Sequence, residues 1–244
     1  MRKFIFATDL HGDRQNLSAV KILRDFTRDF KPDIRVFGGD LFDLRPLRRG
    51  VSAEEQCESM QDDWAAGMDF IHNWKPTHFL MGNHDDRLFE LAESSLDGIK
   101  ADYARKLCGE FTNQLRKLKC DWKPYHKRLG VFSFGRLNML HGFHHGVNAA
   151  KQHATIYGSC LFGHIHAFDS HTFGAYAQRQ TAYSSGGLLN VDQEYNKRHT
   201  STLRHENGFL YGFLHKDGGF SVQEARQIGN EWHLPTNFRS YQVG

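Results

Sequence analysis

The 244-residue chain lacks the signatures of several broad protein classes. Its four cysteines, Cys57, Cys108, Cys120 and Cys160, are scattered, with no close pair among them. That fits reduced thiols in a cytoplasm better than a disulfide framework or a thiolate metal site. No apolar run approaches the ~20 residues that a membrane span needs, so no membrane partner is expected. The apolar part of residues 1–8 stops at Asp9 with no small-residue cleavage site after it, and reads as a first strand rather than a signal segment. There are only five prolines, no Pro/Ser-rich linker, no internal repeat and no low-complexity tract. The expectation is therefore one domain over residues 1–228 with a peripheral C-terminal tail at 229–244. A formal charge of +3 is too weak to argue for nucleic acid by itself. Histidine is what the chain has in quantity, at 16 residues. Imidazole is the commonest metal ligand and a frequent general acid, so the positions of these residues matter.

Five short apolar runs each stop at a glycine or polar cluster, the pattern of buried strands. Residues 4–7 run into Asp9 and His11, 34–37 into Gly39 and Asp40, and 78–81 into Gly82, Asn83 and His84. Residues 137–140 run into His141, and 160–162 into Gly163, His164 and His166. Residues 16–30 carry apolar positions at helical spacing and stop at Pro32. Residues 54–73 place Met60, Trp64, Met68 and Ile71 on one helical face. Residues 87–118 read as helix in at least two pieces, interrupted near Gly98 and Gly109. After Phe168 the texture changes, and 172–180, 187–191, 208–215 and 219–225 read as antiparallel strands. Strand–helix–strand repetition implies an α/β fold.

In open α/β sheets, ligands bind beyond the carboxyl ends of the strands. Each strand above ends in a residue able to hold a metal. Asp9 and His11 are two apart, as are His164 and His166, so each pair shares a side in extended chain. With Asp40, Asn83 and His141 they make seven oxygen and nitrogen donors. Such a set suits Mn, Fe, Zn or Ni better than a calcium or structural zinc site. It is too large for one ion and right for two, roughly 3.5–4 Å apart and sharing a carboxylate. Asp40, after two glycines, suits the bridging place.

Taken singly, each residue has a plainer reading: Asp9 as a helix cap, Asn83 as a turn residue, His164 and His166 as a solvated face. Together they form five ordered blocks: Asp9-Leu10-His11, Gly39-Asp40-Leu41-Phe42-Asp43, Gly82-Asn83-His84-Asp85, His141-Gly142 and Gly163-His164-Ile165-His166. In that order, over about residues 4–190, the chain resembles the calcineurin-like metallophosphoesterases. The run from Gly82 to Leu88, with Arg87, looks closest to small phage and bacterial members. The resemblance implies a four-layer α/β/β/α sandwich with two mixed β-sheets flanked by helices. It implies two divalent metal ions, with manganese the first expectation. Asp9, His11 and His166 would hold one ion, Asn83, His141 and His164 the other, and Asp40 would bridge. A metal-bridging hydroxide would attack phosphorus in line. His84 would protonate the leaving oxygen, with Asp85 orienting or polarising it, and Asp43 would support the site from behind the ligands.

Outside the blocks, Asp13 reads as a helix N-cap. Arg45, Arg48 and Arg49 follow the Asp40 loop and are expected to contact substrate, with His144 and His145 facing the pocket. The basic stretch 116–128 reads as a solvated face. The core motifs leave the substrate open, and loops decide specificity. A short chain with no room for a large cap suggests an open site, and His84 can assist the poor leaving group of a diester. A phosphodiesterase acting on nucleic acid or nucleotides is expected. The alternatives are a broad phosphomonoesterase and a non-catalytic metal-binding scaffold.

Overall fold

The computed structural model describes residues 1–48, 50–94, 98–174, 179–191 and 200–235. The first half runs β1 (Arg2–Ala7), α1 (Leu17–Phe30), β2 (Ile34–Phe37), α2 (Ala53–Gln56), α3 (Gln61–Trp74), β3 (His78–Leu80), α4 (Asn83–Glu93), α5 (Gly98–Lys117) and β4 (Asp121–Lys123). The second half runs β5 (Val131–Phe134), β6 (Leu137–Leu140), α6 (Ala149–Tyr157), β7 (Cys160–Phe162), β8 (Asp169–Phe173), β9 (Gln180–Ser184), β10 (Gly208–Leu214), β11 (Phe220–Ile228) and β12 (Glu231–His233). One sheet has the order β12-β11-β10-β1-β2-β3-β4, the other β5-β6-β7-β9-β8. Strands β1 to β4 are parallel, as are β6, β7 and β9, whereas β10, β11, β12, β5 and β8 pair antiparallel. Both sheets are thus mixed.

Side-chain alternation along β1 explains the layering. Phe4 and Phe6 pack with Val36 and Leu80 against Met139 and Leu161 of the second sheet. Ile5 and Ala7 turn the other way, into a cluster with Leu23 and Phe26 of α1, Phe70 and Trp74 of α3, and Phe111 of α5. On the far side, Ala150 and Ala154 of α6 cover Cys160 and Phe162. The result is the four-layer α/β/β/α sandwich. Among the described residues no helix is long and apolar enough to cross a membrane.

Local chemistry sets the element ends, and in places moves them from the expected positions. Asn16 caps α1 by accepting from the Ser18 and Ala19 amides, so Asp13 is not the cap. The helix expected over 54–73 is two: Ser52 and Glu55 form a capping box on the single turn of α2, and the Ser59 hydroxyl accepts from Gln61 to start α3 afresh. Gly109 does not break α5, because buried Cys108, Phe111 and Leu115 hold the helix against the core. Residues 187–191 form no strand. They strap the Asp9 loop instead, with the Leu188 amide near the Thr8 and Asp9 carbonyls. β9, which is parallel to β7, fills that place in the sheet. The tail expected from 229 is corrected at its start: Glu231–His233 pairs with β11 and Trp232 is buried. Residues 236–244 lie outside the described residues.

Candidate metal centre

The loops that follow β1, β2, β3, β6 and β7 meet at one end of the sandwich. They are joined backbone to backbone: Asp9 N–H donates to Gly39 O, His11 N–H to Asp40 O, and Gly163 N–H to His141 O. The approach is close enough to require glycine. A Cβ on Gly82 would stand 2.1 Å from Asp40 Oδ1, and one on Gly163 would stand 2.3 Å from Thr8 Oγ1. Asp9, His11, Asp40, His164 and His166 all have φ between 53° and 70°, the left-handed region that L-residues rarely occupy. Five of the seven expected ligands therefore hold strained backbone, a cost of about 1–3 kcal/mol each that surrounding structure must impose.

That backbone aims the donors inward. The donor atoms of Asp9, His11, Asp40 and His166 lie within 4.8 Å of one another, and so do those of Asp40, His141 and His164. Asp40 belongs to both groups. Its Oδ1 accepts from the His84 amide at 2.8 Å, at the N-terminus of α4. Its Oδ2 is left facing His141 Nε2 at 3.3 Å and His11 Nε2 at 3.9 Å. Asp9 repeats the device: Oδ2 accepts from the His164 amide at 3.0 Å, and Oδ1 faces His166 Nε2 at 3.4 Å. Asn83 Oδ1 lies 3.0 Å from His141 Nε2 and 2.8 Å from His164 Nδ1. His141 Nδ1 donates to Gly38 O at 2.8 Å, which turns Nε2 inward. The seven expected ligands are thus brought together.

Several features fit a divalent cation here. Asp9 and Asp40 are almost wholly buried, and no Lys or Arg among the described residues pairs with either. Asp9 Oδ1 and His166 Nδ1 are buried without a hydrogen-bond partner. His11 Nε2 and His166 Nε2 stand 3.2 Å apart, two imidazole nitrogens directed at one point. Buried carboxylates need a counter-charge, and the donors are the oxygen and imidazole set that divalent transition ions take. Electrostatics within the protein reflect the crowding. Burial pushes Asp9 up, but His166 outweighs it and carries the carboxyl down to about 2. Burial pushes His141 down, and Asp40 carries it up to about 9. His164 is pushed down to about 3 by burial and by His141.

His84 stands beside the cluster with Nε2 3.9 Å from Asp40 Oδ2. Its partner is not Asp85, which corrects the role expected for that acid. Asp43 holds His84 Nδ1, through its carboxylate and its carbonyl, both at 2.9 Å. Burial raises the Asp43 pKa, but hydrogen bonds from His11 and His84 outweigh it and hold the carboxyl well below the usual range. Asp85 instead accepts from three backbone amides, those of Leu41, Phe42 and Gly82, at 3.0–3.1 Å. It clips the Asp40 loop to the Asn83 loop. Asp63 of α3 does the same for the next stretch, accepting from the Asp43 and Leu44 amides.

The expected substrate contacts fare differently. Arg45 is buried and ion-paired to Asp13, Asp43 and Glu58, so it has no free face for substrate. This is a correction, and it also explains Asp13. Arg48 is exposed and pairs with Glu55. Arg49 lies outside the described residues. His144 is half-buried edge-on to His153, and His145 is exposed. Two neighbours were not anticipated as site residues. Arg87 Nη1 lies 3.1 Å from His84 Nδ1, a proximity that the i, i+3 spacing on a helix could have signalled. His205 packs edge-on against His166, and nothing in local sequence announces that.

The family model of the calcineurin-like phosphoesterases matches residues 2–179. No curated protein matches the chain. Among solved structures, a metallophosphoesterase from Sphaerobacter thermophilus is similar at 15% identity and a TM-score of 0.47, over 93% of this chain and 88% of that one. An archaeal phosphodiesterase is similar at 11% identity and 0.46, over 92% and 99%. Vps29 of Chaetomium thermophilum is similar at 10% identity and 0.42, over 93% and 95%.

Proposed function

Given that the chain belongs to the calcineurin-like phosphoesterase family, we propose that it hydrolyses phosphodiesters at a two-metal centre, with nucleic acid or nucleotides as substrate. The observation that carries the reading is Asp40 Oδ2, a single oxygen faced by donors from two groups of ligands. Asp9, His11 and His166 would hold one ion and Asn83, His141 and His164 the other, with Asp40 common to both. Two divalent cations there, manganese first among the candidates, would supply a nucleophilic water at neutral pH and offset charge on the phosphoryl oxygens.

The chain's own residues do the rest. Asp9 and Asp40 each give one oxygen to a backbone amide, which fixes the other without further reorganisation. The Asp43 oxygens accept from His84 Nδ1–H, which orients the ring so that Nε2 faces the reacting centre. A water oxygen bonds to phosphorus as the ester bond breaks, and the leaving alkoxide takes its proton from His84 Nε2. That donation matters most for the poor leaving groups of alkyl diesters.

Turnover of bis-p-nitrophenyl phosphate and p-nitrophenyl phosphate with added Mn2+ tests the proposal, together with metal content. The expected result is two metal equivalents and a preference for the diester. His84→Ala should lower kcat by roughly 10²–10⁴-fold, most on diesters with alkyl leaving groups. Preference for the monoester would favour a phosphomonoesterase. No metal and no hydrolysis would favour a scaffold.

A further inference from the structure

Arg87 carries unused hydrogen-bonding capacity at the edge of the site. It lies three residues after His84 on α4, so both project from one face of the helix. Its Nη1 donates to the Asp43 carbonyl at 3.0 Å and lies 3.1 Å from His84 Nδ1. Its Nε and Nη2 make no hydrogen bond to any described residue, and no carboxylate among them pairs with it. Arg45, on the neighbouring loop, has three carboxylates around it. Among the described residues, the acids that close around Arg45 as ion pairs have no counterpart at Arg87, where the carboxylates of Asp40, Asp43 and Asp85 act only through their charge. The guanidinium is half-buried, and burial pushes its pKa down. A partly desolvated, planar cation with a free edge is suited to an incoming anion, above all a phosphate.

Position indicates which anion. Arg87 makes no hydrogen bond or ion pair to any of the seven candidate ligands, and its polar contacts are to Asp43 and His84 instead. It contacts the Nδ1 side of the imidazole whose Nε2 faces Asp40. His84 would give its proton to the leaving oxygen, so a group attached to that oxygen passes beside His84 and comes within reach of Arg87. The charges of Asp40 and Asp43, and with opposite sign that of Arg48, also act on Arg87. We infer that Arg87 recognises a second phosphate, carried by the leaving group. The preferred substrate is then an oligonucleotide or nucleic-acid strand whose departing fragment bears its own phosphate, over a diester with an uncharged leaving group. The inference rests on the phosphodiester reading above.

The test uses the Mn2+-loaded full chain, with Arg87→Ala and Arg87→Lys beside the wild type. Dithymidine monophosphate has no second phosphate. In the tetranucleotide TpTpTpT, cleavage at the central linkage puts one on the departing fragment whichever way the bond breaks, and that cleavage is the one followed. Arg87→Ala should lower kcat/KM on the tetranucleotide by roughly 10–100-fold, mainly through KM, the range for losing a charged hydrogen bond. Turnover of dithymidine monophosphate and bis-p-nitrophenyl phosphate should change by no more than about threefold, and Arg87→Lys should be intermediate. Equal losses on all three diesters would overturn the inference, because Arg87 would then act through His84 or the fold. Fluorescence anisotropy with a fluorescein-labelled, hydrolysis-resistant phosphorothioate tetranucleotide separates this from failure of the phosphodiester reading. If the wild type cleaves only p-nitrophenyl phosphate, that reading fails. Arg87 as a second-phosphate contact then stands on a Kd weakened about tenfold or more by Arg87→Ala, and falls if the Kd is unchanged.

Discussion

His153 offers a quantitative check on how the loop after His141 is held. The residue is fully buried on α6, its ring stacked at 4.0 Å on Phe162. Nδ1 donates to the Ala149 carbonyl at 2.8 Å and Nε2 accepts from the Phe143 amide at 3.1 Å. Only the neutral ring can do both. Protonation would set a second N–H against the Phe143 N–H, and burial pushes the pKa from 6.5 down to about 4. The unfolded chain therefore binds the proton at higher pH than the folded one. Stability is full above the unfolded pKa of 6.5 and is lost as pH falls toward about 4. At about 1.4 kcal/mol per pH unit the complete loss is roughly 3 kcal/mol, of which about 2 falls between about pH 7.5 and pH 5. Urea unfolding of the chelator-treated protein at those two pH values, for wild type and His153→Gln, isolates the effect. His164 and His205, also pushed down by burial, titrate in both proteins and cancel. The stability advantage of wild type over His153→Gln should shrink by about 2 kcal/mol on acidification. A difference constant to within about 0.5 kcal/mol would refute the argument.

Three further outcomes are expected. Asp85→Ala leaves three buried amides without an acceptor; about 3 kcal/mol should be lost, at the low end because burial pushes Asp85 up to about 7 and removing its charge returns part of the cost. Scanning calorimetry should show Tm lower by about 6 °C or more, whereas a lower kcat with unchanged Tm would restore Asp85 to a role on His84. Gly82→Ala drives a Cβ to 2.1 Å from Asp40 Oδ1 and 2.3 Å from the Asp40 amide nitrogen. Metal affinity should fall roughly 10–100-fold, and full metal retention in elemental analysis would count against the geometry. Burial pushes Cys108 up to about 11 and Cys120 and Cys160 to about 12, while Cys57 is exposed. A thiol reagent at neutral pH should label one cysteine per native chain and four after denaturation; fast labelling of more than one would show the core more open than described.

Much of the site was legible because metal chemistry restricts residue type. The candidate site draws carboxylate, amide or imidazole donors from the strand ends, and close loop approach needs glycine, so Asp9, Gly39, Asp40, Gly82, Asn83, Gly163 and His164 leave a pattern in one dimension. Roles set by contact were less legible. Asp85 is adjacent to His84 in sequence and was read as its partner. On α4 the two side chains diverge, and Asp43, far away in sequence, supplies the contact. Arg45 follows the metal loop and is basic, yet Asp13 and Glu58 from other parts of the chain close around it. The break expected near Gly98 separates α4 from α5, whereas the one expected at Gly109 is absent, because packing on the core outweighs its local propensity cost of about 1 kcal/mol.

The order and kind of the candidate ligand residues, the runs that form the central strands, and the family were legible in the sequence alone, since each depends on residue type at short spacing. Which hydrogen-bonding groups remain free was decided only in the folded chain. Arg45 and Arg87 are the same residue type at the rim of one site. One is enclosed by three carboxylates and the other has no carboxylate partner among the described residues, because tertiary packing determines which acids come within reach.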